Sequence, residues 1–314
     1  MLSSIFIFLR GVLMGIADSI PGVSGGTVAM IVGIYERLVL AISSFDTHFL
    51  SLLFGGKIRQ ALKHVQFGFL GILLLGIVVG LGSSAVFMHQ LLRDHLPVTF
   101  GAFMGMILAS VVILFHQIKN KTFACGIAVV LGTIAAWLIT TLNPMAGEDS
   151  SLLYIFCCGL VAICAMILPG ISGSYILLIL GEYAQIIARV KDLAHLKTTP
   201  GDFLTLCVFG AGCVLGLLAF SRLLEFLLKH YHGVILSLLI GFMLGSIACL
   251  WPFQRMTLVG GHMKFERLAM SSFSTEQQIY VLCALLAGLV GVLVLERIAS
   301  ILSVKSKRPG TGEK

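Results

Sequence analysis

Residues 8 to 42 read FLRGVLMGIADSIPGVSGGTVAMIVGIYERLVLAI, and residues 156 to 190 read FCCGLVAICAMILPGISGSYILLILGEYAQIIARV. Aligned without a gap at an offset of 148, ten of these 35 positions are identical. They include Gly11 with Gly159, Pro21-Gly22 with Pro169-Gly170, Ser24-Gly25 with Ser172-Gly173, Gly33 with Gly181 and Tyr35 with Tyr183. Apolar segments resemble one another by chance, but chance seldom keeps turn residues in register. A second echo follows at an offset of 136, pairing Gly76 with Gly212, Gly80 with Gly216 and Gly105 with Gly241. The chain reads as two copies of one unit.

The environment follows from composition. The 314 residues are 58% hydrophobic and 11% charged, against about 25% charged in an average soluble chain. The 21 Lys and Arg and 14 Asp and Glu are too few to clothe a soluble domain of this size, so the reading is an all-α polytopic membrane protein. A span needs roughly 20 apolar residues. Ten hydrophobic segments lie near 4–20, 26–42, 66–92, 98–116, 123–142, 153–168, 174–190, 203–229, 233–251 and 279–301. Five segments per copy is an odd number, which predicts two inverted-topology repeats, 1–145 and 146–304. The short segments beside Pro21-Gly22 and Pro169-Gly170 are expected to form broken, re-entrant helical hairpins, 4–42 and 153–190. Three spans then remain in each copy, over 66–142 and 203–301, and three is also odd.

Residues 43–65 set Phe45, Phe49, Leu52, Ile58, Leu62 and Val65 against Lys57, Arg59 and Lys63, the pattern of an interfacial amphipathic helix. The net charge of +7 reads as an orienting device. Lys57, Arg59, Lys63, Lys119, Lys121, Lys229, Lys305, Lys307 and Arg308 fall on one side, with Glu148 and Asp149 on the other. This places both termini, including the tail 305–314, in the cytoplasm. No basic run carries interleaved exposed aromatics, so no nucleic-acid partner is expected. The first apolar stretch contains Arg10 and recurs later in the chain, which does not fit a disposable signal peptide. The eight cysteines all lie in apolar segments without a CxxC pair, so neither a metal site nor a disulfide framework is expected.

Irregular backbone at membrane depth persists only where protein or a water-filled cavity surrounds it. Two broken turns therefore imply a shared internal site. In the run from Pro21 and Gly22 to Ser24, Gly25, Gly26 and Thr27, the proline ends one helix and the glycines permit tight or left-handed backbone. Ser24 or Thr27 is expected to cap the next helix. That helix start presents free N–H groups and the positive end of a dipole, which suit a phosphate. Pro169, Gly170, Ser172, Gly173, Ser174 and Tyr175 are expected to present the same arrangement from the opposite side. The bland alternative is that Gly and Ser only let helices pack closely.

Charged residues inside spans cost about 2.5–3.5 kcal/mol each on the insertion scale. Asp18, Glu36 and Glu182 are expected to take up H+ or Na+, and Arg10 and Arg37 to meet a phosphate. The alternative is internal ion pairing with snorkelling to the interface. Arg222 and Glu225 are expected to form a local salt bridge.

The run Gly15 to Thr27, GIADSIPGVSGGT, followed by Gly33-Ile34-Tyr35-Glu36, resembles the PopT family of prokaryotic membrane proteins. Pro169 to Ser174, PGISGS, with Gly181-Glu182-Tyr183, is similar to that family's second half. The resemblance covers nearly the whole chain. It implies a flippase of the cytoplasmic membrane that returns undecaprenyl phosphate, the carrier lipid of cell-envelope synthesis, from the outer to the inner leaflet. Its partners are then that lipid and the bilayer, with no cofactor beyond a coupling ion. One alternative is a transporter of another anion or small solute. Another is an enzyme, because undecaprenyl pyrophosphate phosphatases also use inverted repeats and a Pro-Gly-x-Ser-Arg-Ser turn. Here Gly25 and Gly173 stand at the Arg position, and no Glu or Gln has a Glu four residues later. Phosphoryl transfer without a cation on the developing charge forfeits its main source of catalysis, so no enzyme is expected.

Overall fold

The computed structural model describes residues 2–18, 24–142, 151–248, 250–259 and 262–306. The expected turn residues Pro21 and Gly22, the acidic pair Glu148 and Asp149, and the tail beyond Ser306 lie outside them. The first half contains α1 (Leu2–Asp18), α2 (Gly25–Ile31), α3 (Tyr35–Ser43), α4 (Thr47–Phe54), α5 (Ile58–His64), α6 (Phe67–Asp94), α7 (Leu96–Gln117) and α8 (Phe123–Thr141). The second contains α9 (Leu152–Ile167), α10 (Gly173–Ile179), α11 (Tyr183–Ala194), α12 (Pro200–Ser246), strands β1 (Gln254–Val259) and β2 (His262–Arg267), and α13 (Thr275–Ser306).

Local structure repeats at the offset of the sequence repeat: α2 and α10 begin at Gly25 and Gly173, α3 and α11 at Tyr35 and Tyr183. Segments 26–42 and 174–190, expected as single arms, are each two helices. The α2 and α3 axes are bent by 119° where Gly33 has φ +69, and Gly181, at φ +80, divides α10 from α11. A side chain is strongly disfavoured at such φ values, which is why the same residue stands at both breaks. The expected interfacial helix 43–65 is likewise two short helices, α4 and α5, separated at Gly55 and Gly56.

Helices α6, α7, α8 and α13 are long and apolar enough to cross a membrane. At 1.5 Å per residue, the 47 residues of α12 would extend about 70 Å, more than twice a hydrocarbon core of about 30 Å. Tyr231, with φ −130 and ψ 38, breaks the helix into two limbs that answer to the expected spans 203–229 and 233–251. The helical architecture carries one small β element. β1 and β2 form an antiparallel hairpin in register from Gln254 with Arg267 to Val259 with His262. Gly260-Gly261 between two six-residue runs is the sequence signal of a two-residue hairpin connection.

The described residues form two compact units, one from 1–88 with 118–249 and the other from 89–117 with 250–314. In the first, α8 lies on the second limb of α12 so closely that a Cβ on Gly132 would strike the Leu238 carbonyl, and one on Gly241 the Val129 carbonyl. α1 meets α6 through Gly11 on Leu73 and Gly76 on Phe8, and α9 meets the first limb of α12 through Gly159 on Phe209 and Gly212 on Phe156. In the second unit, α7 runs along α13 through Gly101 on Val281 and Gly105 on Leu285. Small residues let backbones approach where hydrophobicity alone cannot drive helices together. The copies thereby exchange partners. The second span of the first copy, α7, packs on the third span of the second copy, α13. The second span of the second copy, in α12, packs on the third span of the first, α8.

Candidate functional site

Asp18 is the last residue of α1, and its carboxylate reaches the start of α2. Oδ1 accepts the Gly25 amide at 2.6 Å. A Cβ on residue 25 would lie 2.6 Å from Asp18 Oδ2, so Gly25 leaves the carboxylate room for this close approach, and its φ is not positive. Ser24 is the cap. It is extended, at φ −115 and ψ 137, and its Oγ accepts the Gly26 amide at 3.1 Å while donating to the Met166 carbonyl at 3.3 Å. The free amides expected at this helix start are therefore partly occupied by the protein's own oxygens, Asp18 filling the place of an anion.

The second broken turn comes to the same place. α9 ends at Ile167, and Leu168 leads in extended backbone to Pro169 and then Gly170, at φ +88. The Gly170 amide donates to Oγ1 of Thr27 at 2.8 Å, and a Cβ on Gly26 would lie 2.8 Å from the Ile167 carbonyl. The amino end of α2 thus sits on the carboxyl end of α9, where unpaired carbonyls carry the opposite partial charge. Thr27, offered as an alternative cap, instead joins the two copies. At the equivalent start of α10, Ser172 makes no capping bond. Its Oγ lies 2.8 Å from Oγ of Ser174. Tyr175 donates to the Thr140 carbonyl at 3.2 Å, and Thr140, Ala136, Gly170, Ser172 and Tyr175 line a small cleft beside the turn.

The charged candidates fall into separate groups. Arg37 on α3 stacks over the Phe69 ring, 4.1 Å from its centroid, and donates from Nε to Gln66 Oε1 at 3.0 Å. Arg10 on α1 is near enough to Arg37 for the two guanidinium charges to repel. Glu36 meets His232 at 3.0 Å, both about half exposed, rather than facing Asp18. Glu182, between α10 and α11, is fully buried, near Tyr154 and Cys158. The expected Arg222–Glu225 bridge is replaced: Glu225 pairs with Lys229 one turn on, and Arg222 donates to the Phe45 carbonyl. Met166, Gln66, Phe69 and His232 were not among the sequence candidates. Each acts through a backbone atom or a contact distant in sequence, for which the residue pattern carries no signal.

Known proteins are similar to this chain over most of its length. A polyprenyl-phosphate transporter of Vibrio cholerae serotype O1 is 36% identical over 304 residues, covering 93% of this chain and 96% of that protein. A polyprenyl-phosphate transporter of Staphylococcus aureus is 30% identical over 258 residues, covering 78% and 85%. No solved structure matches. With residues 14–267 matching a family that takes in both broken turns and the spans packed on them, the chain belongs to the VCA0040-like, undecaprenyl phosphate translocase-like family.

Proposed function

We propose that this protein is a flippase that returns undecaprenyl phosphate across the cytoplasmic membrane and performs no chemistry on it. The observation that carries the reading is the hydrogen bond from the Gly170 amide to Thr27, by which the turn after α9 meets the first turn of α2. In this reading the copies are inverted, each begins with a re-entrant hairpin, and both termini are cytoplasmic. The partner exchange between spans and the shared offset of the breaks support that symmetry. The names of the two relatives support the substrate class.

The site also suggests how an ion is coupled. A charged Asp18 occupies the start of α2, and a phosphate brought to the same amides would meet a second anion. Uptake of H+ or Na+ by Asp18 removes that repulsion, so ion and lipid load together. Arg10 and Arg37 attract the head group, Ser172, Ser174 and Tyr175 receive it on the other side of the turn, and the prenyl tail stays in lipid. Glu36 and Glu182 are secondary candidates for ion uptake.

The test is one preparation in proteoliposomes assayed twice. Undecaprenyl phosphate should exchange between leaflets, and the pyrophosphate form should release no inorganic phosphate. Phosphate release that scales with protein, without exchange, would replace the transporter by an enzyme, and inactivity in both assays would favour another solute. Orientation is checked by impermeant thiol labelling of single cysteines on a cysteine-free background, with position 148 accessible from outside and position 310 protected. The opposite pattern reverses the topology.

A further inference from the structure

Away from the broken turns, the segment between α3 and α6 folds on itself around a cationic cleft. Asp46 caps α4, accepting the Phe49 amide at 2.8 Å, and the same oxygen lies 3.2 Å from Nε2 of His64 at the end of α5. The His48 and His64 rings meet edge to face with centroids 5.0 Å apart. With the reversal at Gly56, where φ is +71, these contacts hold α4 and α5 as a hairpin. Between the two helices opens a cleft of about 480 Å³ lined by His48, Leu52, Lys57, Gln60, Lys63 and His64. That volume falls within the roughly 300–1,000 Å³ of small-molecule sites. Two ammonium groups, an amide and two imidazoles make a lining rich in donors. The nearby carboxylate, Asp46, is already engaged by Phe49 and His64.

The surroundings identify what such a lining receives. Leu50, Leu53, Phe54, Ile58 and Leu62 are exposed, Phe54 by 86%. A short helix pair that shows apolar side chains beside basic ones lies in the membrane interface. A soluble anion would use the ammonium groups and leave the apolar flank unexplained. A lipid phosphate uses both, its head between Lys57 and Lys63 and its acyl chains alongside Phe54 and Ile58.

We propose that the α4–α5 cleft binds the head group of an anionic phospholipid of the leaflet in which it lies, at a site separate from the broken turns. Lys57 and Lys63 supply the charge, Gln60 a further hydrogen bond, and the lipid fastens the hairpin to the bilayer surface.

The test titrates the full-length protein, purified in neutral detergent, with phosphatidylglycerol or phosphatidylcholine and counts bound lipids by native mass spectrometry. Phosphatidylglycerol should be retained and phosphatidylcholine not. The double variant Lys57→Gln, Lys63→Gln should bind phosphatidylglycerol up to about thirtyfold more weakly, since one exposed ion pair is worth up to about fivefold. Arg59→Gln, exposed on α5 but outside the cleft lining, should leave binding unchanged, and millimolar inorganic phosphate should not displace the lipid. Undiminished retention by the double variant, an equal loss in Arg59→Gln, or displacement by inorganic phosphate would overturn the proposal. No undecaprenyl phosphate is present, so the outcome is independent of translocation.

Discussion

The Asp18 carboxylate stands 2.6 Å from the Gly25 amide, at the point where the dipole of α2 is most positive. A second anion brought to the same amides is repelled by that carboxylate. The contact makes the first turn self-capped, and any anion that binds there has to contend with a group the protein carries itself.

Asp18→Asn keeps an acceptor oxygen for Gly25 and removes the charge. The variant should fold and still move lipid, but its rate should lose dependence on pH or Na+ across a titration in proteoliposomes. If both the rate and the ion dependence match the parent protein, Asp18 is structural and the coupling reading fails.

Thr27 is 1% exposed and is the acceptor for the Gly170 amide. Thr27→Val preserves shape but orphans that amide, at a cost of about 1–3 kcal/mol, whereas Thr27→Ser retains the bond. Thermal unfolding in detergent should separate the two, with leaflet exchange lost in the Val variant first. Equal behaviour of Val and Ser would show that the link between the copies contributes nothing.

Ser24 and Ser172 occupy equivalent positions but bond differently. Ser24→Ala should lower stability by about 0.5–2 kcal/mol, as loss of a helix cap does. Ser172→Ala should stay within about 0.5 kcal/mol while weakening transport, because its hydroxyl faces Ser174 beside the cleft and caps nothing. Matched stability losses in the two variants would contradict the asymmetry.

Asp46 lies outside the spans. Burial acts to raise its pKa, but the Phe49 amide and the His64 ring outweigh it and hold the carboxyl below the ordinary carboxylate range. A depressed value stabilises the folded form above the unfolded pKa, and the contribution disappears as pH falls through the folded value. Hydrogen-exchange protection over residues 47–64, taken relative to the intrinsic exchange rate at each pH, should therefore fall between about pH 5 and pH 2, around the reference of about 3.9 for Asp. Asp46→Asn should flatten the change, and an unaltered profile in that variant would assign it to other groups.

The sequence made the spans, the turn at Pro169-Gly170 and the Ser24 cap legible because each leaves a local mark: an apolar run, a Pro-Gly pair, a serine before a helix. The breaks at Gly33 and Gly181 were marked too, but a glycine in an apolar helical run reads equally well as a packing residue. What stayed hidden depends on distance along the chain. Glu36 meets a histidine 196 residues away, and Met166 contributes only a carbonyl, which every residue has. The occupation of the Gly25 amide by Asp18 was hidden for a different reason, since no residue pattern marks which carboxylate meets the start of a helix.

The exchange of partners between the copies sets a timetable for synthesis. α7 is complete at Gln117, but α13, the helix it packs along, begins only at Thr275, about 160 residues and some 8–30 s of translation later at ordinary elongation rates. During that interval the backbone of α7 at Gly101 and Gly105 faces lipid or an insertion factor instead of its neighbour. A ribosome that stops after residue 145 leaves α7 without α13 and α8 without α12.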